Sequence, residues 1–335
     1  DDMREAPSLV LIDKLLASGC EVYVYDPVSM EETRRRLGDT LHYAKDIYDA
    51  VVDADALLLV TEWKEFRMPS WSAVKKLMAT PLILDGRNIY DVKELEENGF
   101  VYQKKSPYPY VWKKEYDEQH YTVNVDNTNG LPYVFHNGRK LYFKRDMLAF
   151  AEVAYRGLLI EQDKRSAHRY VDSYEELKGK TLLDIGAAEA IFILDTIEYM
   201  DHAYLFECDE SWIEALEVTF APYKEKITIV RKYVSDVDDE DNITLDTFFR
   251  DEGKSIDNLF LKMNIEGYER IALEGAVHIL EHGRQIGGSV CIYHLHDDKK
   301  VIESELKKFN LKTSIQPGYL YFEKEMRSAI IRFWS

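Results

Sequence analysis

Cysteine is scarce in this 335-residue chain: Cys20, Cys208 and Cys291 are the whole supply, odd in number and far apart. Neither a disulfide framework nor a zinc-ligand spacing can be built from them. Long apolar runs are also missing. None approaches the ~18 residues of a membrane-spanning helix, and no cleavable signal opens the chain, so a reducing cytoplasm is the expected compartment. Positive charge is in deficit, with 43 Lys and Arg against 61 Asp and Glu, a net charge of −18, and an acidic balance in both halves. Such a surface repels phosphate backbones and anionic lipid. Nucleic acid and membrane are therefore excluded as expected partners, which leaves small molecules, with a homo-oligomer allowed. No methionine stands at position 1, where the chain opens with DDMREAPS, and no internal repeat is visible.

What is present suffices for two domains of ordinary size, with 46% hydrophobic residues to bury in their cores. EAPSLVLIDKLLASG reads as an amphipathic helix, with Pro7 in the first turn, Leu9, Ile12 and Leu16 on one face and Gly19 at the C-terminal cap. It feeds the strand EVYVYDP, but the strand that should precede such a helix in a βαβ unit is absent. From residue 20 to 103 strands and helices alternate, and apolar runs such as ALLLV fit a parallel sheet covered on both faces. Residues 104–128 hold two prolines and little periodicity and are expected to be a linker. YVFHNGRKLYF then places Asn137 and Gly138 between alternating runs, a strong hairpin signal. A second alternating series fills 129–335, from TLLDIG through AYLFE, NLFLKMN and SVCIYH, and closes with YLYFE and AIIRFW as an expected strand pair. The fold class is therefore α/β with two Rossmann-like domains, the first lacking its first strand, and ligands at the carboxyl ends of the strands.

LLDIGAAEA is a strand that runs into a tight turn and a helix, where Gly186 lets the backbone approach a ligand. Twenty-one residues later Glu207 ends the next strand, where a carboxylate can accept both ribose hydroxyls. That spacing fits a dinucleotide or S-adenosylmethionine. A dinucleotide loop wants GxGxxG, whereas this loop has one glycine, and Asp184 is placed to meet a ligand ammonium. The competing reading of Asp184 and Glu207 is a pair of strand-end acids that cap the following helices. Two histidines are candidate general bases, His294 just after SVCIY and His168 in EQDKRSAHRY; the alternative for His294 is a strand-end cap. His294, His296, Asp297 and Asp298 open a helix in an ordinary way, so no metal is expected, and DVDDED reads as a solvated loop.

From about Asn129 to Trp334 the chain resembles the FkbM-type S-adenosylmethionine-dependent methyltransferases. LLDIGAAEAIF, LFECDESWIEALEVTFAPY, ITLDTFF, LKMNIEGYERIALEGA and CIYH carry the resemblance. It implies a seven-stranded methyltransferase sheet with an antiparallel last strand, and hydroxyl acceptors on sugars and natural products. It also implies that Asp184, Gly186 and Glu207 bind the cofactor, with Ser235 and Asp236 near the adenine. The family commonly has glycine where Ala190 stands and aspartate where Asn264 stands beside the methyl donor. A catalytically dead pseudoenzyme is the rival these two departures raise.

Residues 1–103 resemble the C-terminal, UDP-binding domain of UDP-glucose 6-dehydrogenases through DDMREAPS, VYVYDP, DADALLLVTEWKEF and LILDGRNIYD. The resemblance implies that Arg87 contacts the nucleotide of a UDP-sugar and that Arg4 lies near the pyrophosphate of NAD. That family needs an NAD-binding domain and a central catalytic domain ahead of this point, so NAD enters only if such domains precede Asp1. The chain is thus expected to begin inside a domain, as a fragment of a dehydrogenase and methyltransferase fusion or as a remnant of one. In that family the absent strand is central, so a gap lined by Val22, Val24, Leu58 and Val60 is expected, with a poorly formed site near Arg87. The expected activity is methyl transfer in sugar or surface-polysaccharide synthesis, and the rival is an active UDP-glucose 6-dehydrogenase of greater length.

Overall fold

The computed structural model describes residues 7–87, 89–100, 107–323 and 325–335. It divides into two compact units, Asp1–Lys105 and Ser106–Ser335. The first unit opens with α1 (Pro7–Ala17). Gly19, at φ 80°, ends the helix: its N–H donates to Leu16 O and that of Cys20 to Leu15 O, both at 3.0 Å. These two bonds satisfy carbonyls the last turn leaves open.

β1 (Tyr23–Val24), α2 (Met30–Leu37) and β2 (His42–Tyr43) form one parallel strand pair. β3 (Leu57–Leu59), α3 (Trp71–Leu77) and β4 (Ile83–Asp85) form another, and α4 (Val92–Glu97) follows. Two separate two-stranded sheets thus stand where one Rossmann-like sheet was expected, and no hydrogen bond joins β1 to β3 among the described residues. The strands are shorter than EVYVYD and ADALLLV suggested. Tyr23 and Leu84 are exposed and Leu58 is half-buried, whereas a parallel sheet covered on both faces would bury them.

The described part of the expected linker, residues 107–128, packs within the second unit. Its aromatics explain this, because Tyr108, Tyr110 and Tyr121 rest against the buried cluster around Tyr155, Ala167 and Tyr170. The stretch contains α5 (Lys114–Asp117) and β5 (Asn124–Val125). β5 pairs with β6 (Pro132–His136), which forms a hairpin with β7 (Arg139–Tyr142). Asn137 and Gly138, at φ 49° and 79°, make the turn in the left-handed conformations a two-residue hairpin loop requires. α6 (Ala151–Glu161) leads to the main sheet.

That sheet takes β8 (Thr181–Ile185), α7 (Ile191–Thr196), β9 (His202–Phe206), α8 (Glu210–Phe220) and β10 (Ile227–Val230) in succession. A small parallel pair, β11 (Tyr233–Val234) with β12 (Asn242–Ile243), and α9 (Leu245–Asp251) precede β13 (Leu259–Met263). α10 (Glu269–Glu274) and α11 (Val277–His282) lead to β14 (Gly287–Cys291), followed by α12 (Asp298–Lys308) and β15 (Lys312–Ile315). The chain ends with β16 (Leu320–Phe322), β17 (Glu325–Arg327) and β18 (Ile330–Trp334). The seven-stranded order is β10-β9-β8-β13-β14-β18-β15, with β18 antiparallel to both neighbours. YLYFE and AIIRFW are therefore not partners. β16 pairs with β17, while β18 runs between β14 and β15, so KTSI was the missed strand. The direction of chain growth reverses between β8 and β13. In such sheets that reversal opens a crevice at the carboxyl ends of the strands.

Candidate active site

Four parallel strands, β8, β9, β13 and β14, deliver their carboxyl ends to one edge of the sheet. At the reversal the loop after β8 meets the loop after β13. Gly186, at φ 79°, comes so close that a Cβ there would lie 2.2 Å from Asn264 O and 2.8 Å from Ile265 Cγ2. Only glycine fits. Two alanines of the same loop also take left-handed backbone, Ala188 at φ 45° and Ala190 at φ 52°. A side chain there costs about 1–2 kcal/mol, the physical reason a glycine suits position 190.

Glu207 follows β9 and faces this loop. Its Oε1 accepts from the N–H groups of Cys208 and Asp209, each at 2.9 Å, and its Oε2 from Ala188 N–H at 3.0 Å. A carboxylate has about four acceptor sites, so this half-buried group keeps capacity for a diol. Asp184 behaves otherwise. It is buried, and its Oδ1 lies 2.7 Å from Lys262 Nζ, which also donates to Gly186 O at 2.7 Å. The expected partner was a ligand ammonium; the partner found is the ammonium of this chain. The strand register explains it: Asp184 stands opposite Lys262, on the sheet face that carries Leu182 and Phe260. Burial opposes the Lys262 charge, but the attraction and hydrogen bond of Asp184 outweigh it and hold the ammonium protonated.

Beyond β14 the two candidate histidines flank one tyrosine. Tyr293 has ring centroids 4.1 Å from His294 and 5.4 Å from His168. His294 is buried, with Nδ1 2.9 Å from Glu269 Oε1 and Nε2 3.9 Å from the exposed Glu266 Oε2. Glu269 is itself anchored, accepting from Ile265 N–H at 2.9 Å and Gly267 N–H at 3.0 Å. His168 is fully buried, with Nδ1 2.9 Å from Glu161 Oε1 and Nε2 3.4 Å from Tyr293 Oη. Tyr293 donates onward to Asn264 Oδ1 at 3.4 Å. Burial raises the Tyr293 hydroxyl well above its ordinary value, so it stays protonated and donates.

Sequence reading missed Lys262, Glu161, Glu269 and Tyr293. Only the Lys262 position carried a usable signal, since a lysine inside the apolar run LFLKM has to find a buried acid. Ser235 and Asp236 follow β11, the first half-buried and the second exposed, joined by a 3.1 Å hydrogen bond between Oγ and Oδ1. His296 pairs with Glu325, and Asp297 and Asp298 with Arg270. Among the described residues no group of His, Cys, Asp and Glu is arranged to hold a metal, and no helix is long and apolar enough to cross a membrane.

In the first unit Arg87 is half-exposed and its guanidinium pairs with Glu62, while its N–H donates to Asp85 Oδ1 at 2.9 Å. Asp85 Oδ2 accepts as well from Ile89 and Tyr90 N–H, at 2.7 and 2.9 Å, and so closes the DGRN turn. Arg4 lies outside the described residues.

Two family models match the chain. The UDP binding domain of the UDP-glucose/GDP-mannose dehydrogenase family covers residues 1–92, and the methyltransferase FkbM domain covers 148–324, more than half of the chain. UDP-glucose 6-dehydrogenase of Pseudomonas aeruginosa is 45% identical over 108 residues, 31% of this chain and 24% of that enzyme. The Rhizobium meliloti enzyme is 42% identical over 102 residues, 30% of this chain and 23% of that one. The chain spans about a quarter of the length of these curated relatives. A solved FkbM methyltransferase from Methylobacillus flagellatus aligns with a TM-score of 0.38 and 13% identity, over 94% of this chain and 84% of that one. This chain belongs to the FkbM methyltransferase family and joins that domain to a UDP-binding domain of the nucleotide-sugar dehydrogenase type.

Proposed function

We propose that the second unit transfers a methyl group from S-adenosylmethionine to a hydroxyl of a sugar or nucleotide-sugar. The observation that carries this reading is the buried His294–Glu269 pair across the strand ends from Gly186 and Glu207. The residues fit the cofactor: Glu207 is half-exposed with acceptor capacity, and neither ring nitrogen of the buried His294 makes a hydrogen bond among the described residues. When bound, the cofactor supplies a methyl group on a sulfonium that a nucleophile can attack in line.

The chain aligns the acceptor and removes its proton. The Glu269 carboxylate, 2.9 Å from Nδ1, draws the ring proton to that side by its charge, so that Nε2 takes the hydroxyl proton as general base. Glu207 accepts the ribose hydroxyls, and Ser235 and Asp236 border the adenine. His168 supports the acceptor side through Tyr293. The oxidation that the dehydrogenase relatives perform belongs to enzymes about four times the length matched here, so NAD is not assigned to this chain. For residues 1–92 we assign binding of a UDP-sugar, for which Arg87 has to leave Glu62. A non-catalytic reading is favoured by one feature, the carboxamide of Asn264 facing Tyr293 where the family places a carboxylate.

Titration calorimetry and a turnover assay on the full chain test this. Glu207→Ala loses charge-assisted hydrogen bonds of about 1.5–3 kcal/mol each and weakens S-adenosylmethionine at least tenfold. His294→Ala lowers turnover by about a hundredfold with cofactor affinity intact. A wild-type chain that does not bind the cofactor would sink the reading. Binding without turnover on any sugar hydroxyl would favour the non-catalytic one.

A further inference from the structure

The segment that carries His294 leaves the main sheet just before that residue. β14 pairs with β18 as far as Cys291 opposite Ile330, and the bond from Ile292 N–H to Ala329 O, at 2.9 Å, continues the ladder by one step. Beyond it a side chain takes the place of a strand. Arg327, the last residue of β17, donates through Nη1 to Tyr293 O at 2.6 Å and to His294 O at 3.0 Å. The same guanidinium pairs through Nε with Glu325 Oε2 at 3.2 Å and through Nη2 with Glu323 Oε2 at 3.3 Å, and the side chain is only 10% exposed. A planar fork can span carbonyls on one side and carboxylates on the other, which a single ammonium cannot.

β16 and β17 turn one face to this segment. Leu320 stands opposite Arg327 and Phe322 opposite Glu325, so these four share a face, while Tyr321 and Met326 form the pair on the other face and are exposed. The Phe322 ring meets Tyr293 at 5.1 Å and His294 at 5.8 Å between centroids, edge-on in both cases, and the Arg327 guanidinium lies 5.4 Å from its centre. The imidazole is thus held by Glu269 at Nδ1 and by Phe322 against its ring, on a backbone that Arg327 fixes. We propose that Arg327 is a positioning residue for methyl transfer, which holds the Tyr293–His294 backbone and, with Phe322, the ring that takes the acceptor's proton. This role rests on the reading of His294 as general base.

Nitrogen NMR of the full chain with labelled histidines reads which ring nitrogen of His294 carries the proton, and the loss of the signal in His294→Ala identifies it. The wild type is expected to carry the proton on Nδ1, beside Glu269. Arg327→Met removes every donor and keeps an unbranched stem. It is expected to shift the His294 signal toward a mixture of the two tautomers, to lower turnover about tenfold or more, and to leave the affinity for S-adenosylhomocysteine within about twofold. In the His294→Ala background the same substitution adds no further loss of turnover, because it acts through that ring. Arg327→Lys, with one ammonium in place of the fork, recovers part of the shift. An unmoved His294 signal in Arg327→Met, or a loss of turnover undiminished in the His294→Ala background, overturns the positioning role and leaves the methyl-transfer reading standing. A loss of cofactor affinity as large as the loss of turnover marks a clip of the fold alone and overturns the role too. A wild type that carries the proton on Nε2, or that does not bind S-adenosylhomocysteine, overturns the parent reading and this role with it.

Discussion

Lys262 shows at the residue scale how one side chain serves both the core and the site. Its ammonium lies between the buried Asp184 carboxylate and the carbonyl of Gly186, the residue on which the crevice turns. Replacing it by Met leaves a buried acid without a counter-charge, which costs about 3–5 kcal/mol. Asp184→Asn combined with Lys262→Met should recover most of that loss. Urea unfolding of the three variants measures it, and a single-variant loss below about 1 kcal/mol would show that the pair does not matter. Glu189 has the opposite sign. Its folded pKa lies above the unfolded value, so the cost of burying its charge is absent at low pH, grows as pH rises from about 4.5 to 7, and is complete above. Glu189→Gln should therefore raise the melting temperature at pH 8, with a gain that shrinks toward pH 4.5.

At the scale of elements, the segment 107–119 acts as a strap over the residues around His168. Tyr108 donates to Glu161 at 3.2 Å, Tyr110 accepts from Ala167 N–H at 3.0 Å and Tyr116 donates to Asp163 at 2.6 Å. Arg165 pairs with both oxygens of Glu115 and lies 4.4 Å over Trp112, and Pro107 O accepts from Tyr321 N–H at 2.7 Å. Tyr108→Phe removes a donor from the Glu161 carboxylate, so a loss of about 1–3 kcal/mol is expected in urea unfolding. A neutral result would mean that His168 and Tyr170 alone satisfy that carboxylate. The strap was illegible as an element because the sequence pattern reports periodicity, and aromatics spaced for three separate landing points have none. The hairpin was legible for the converse reason, as Asn137-Gly138 encodes its turn in two adjacent residues.

Across the whole molecule the two units have unequal cores. The second buries apolar residues on both faces of a seven-stranded sheet, whereas the first divides its core between a cluster at Ile12, Val22 and Leu41 and one around Trp71, Val74 and Phe100. Small, divided cores bury little area per ordered residue. Calorimetric scanning should therefore show two transitions, with residues 1–105 melting first. Trp71→Ala, which empties a buried site, should lower the first by about 3–5 kcal/mol of unit stability and leave the second in place. One coincident transition that moves as a whole would refute this expectation.

By itself the sequence determined the strand-helix alternation of both halves, the cap at Gly19, the hairpin, and the positions of Gly186 and Glu207 at strand ends. Each rests on residues near in the chain, where spacing alone carries the physics. The same local logic offered Asp184 to a ligand and paired YLYFE with AIIRFW. The tertiary structure decided otherwise in both cases, because strand register is a long-range property: it set Lys262 opposite Asp184 and inserted β18 between β14 and β15. It also gathered His168, Tyr293, His294, Glu161 and Glu269, five residues from three distant segments, into one buried cluster. No sequence spacing encodes that meeting, since it exists only once the parallel strands bring their carboxyl ends to one edge.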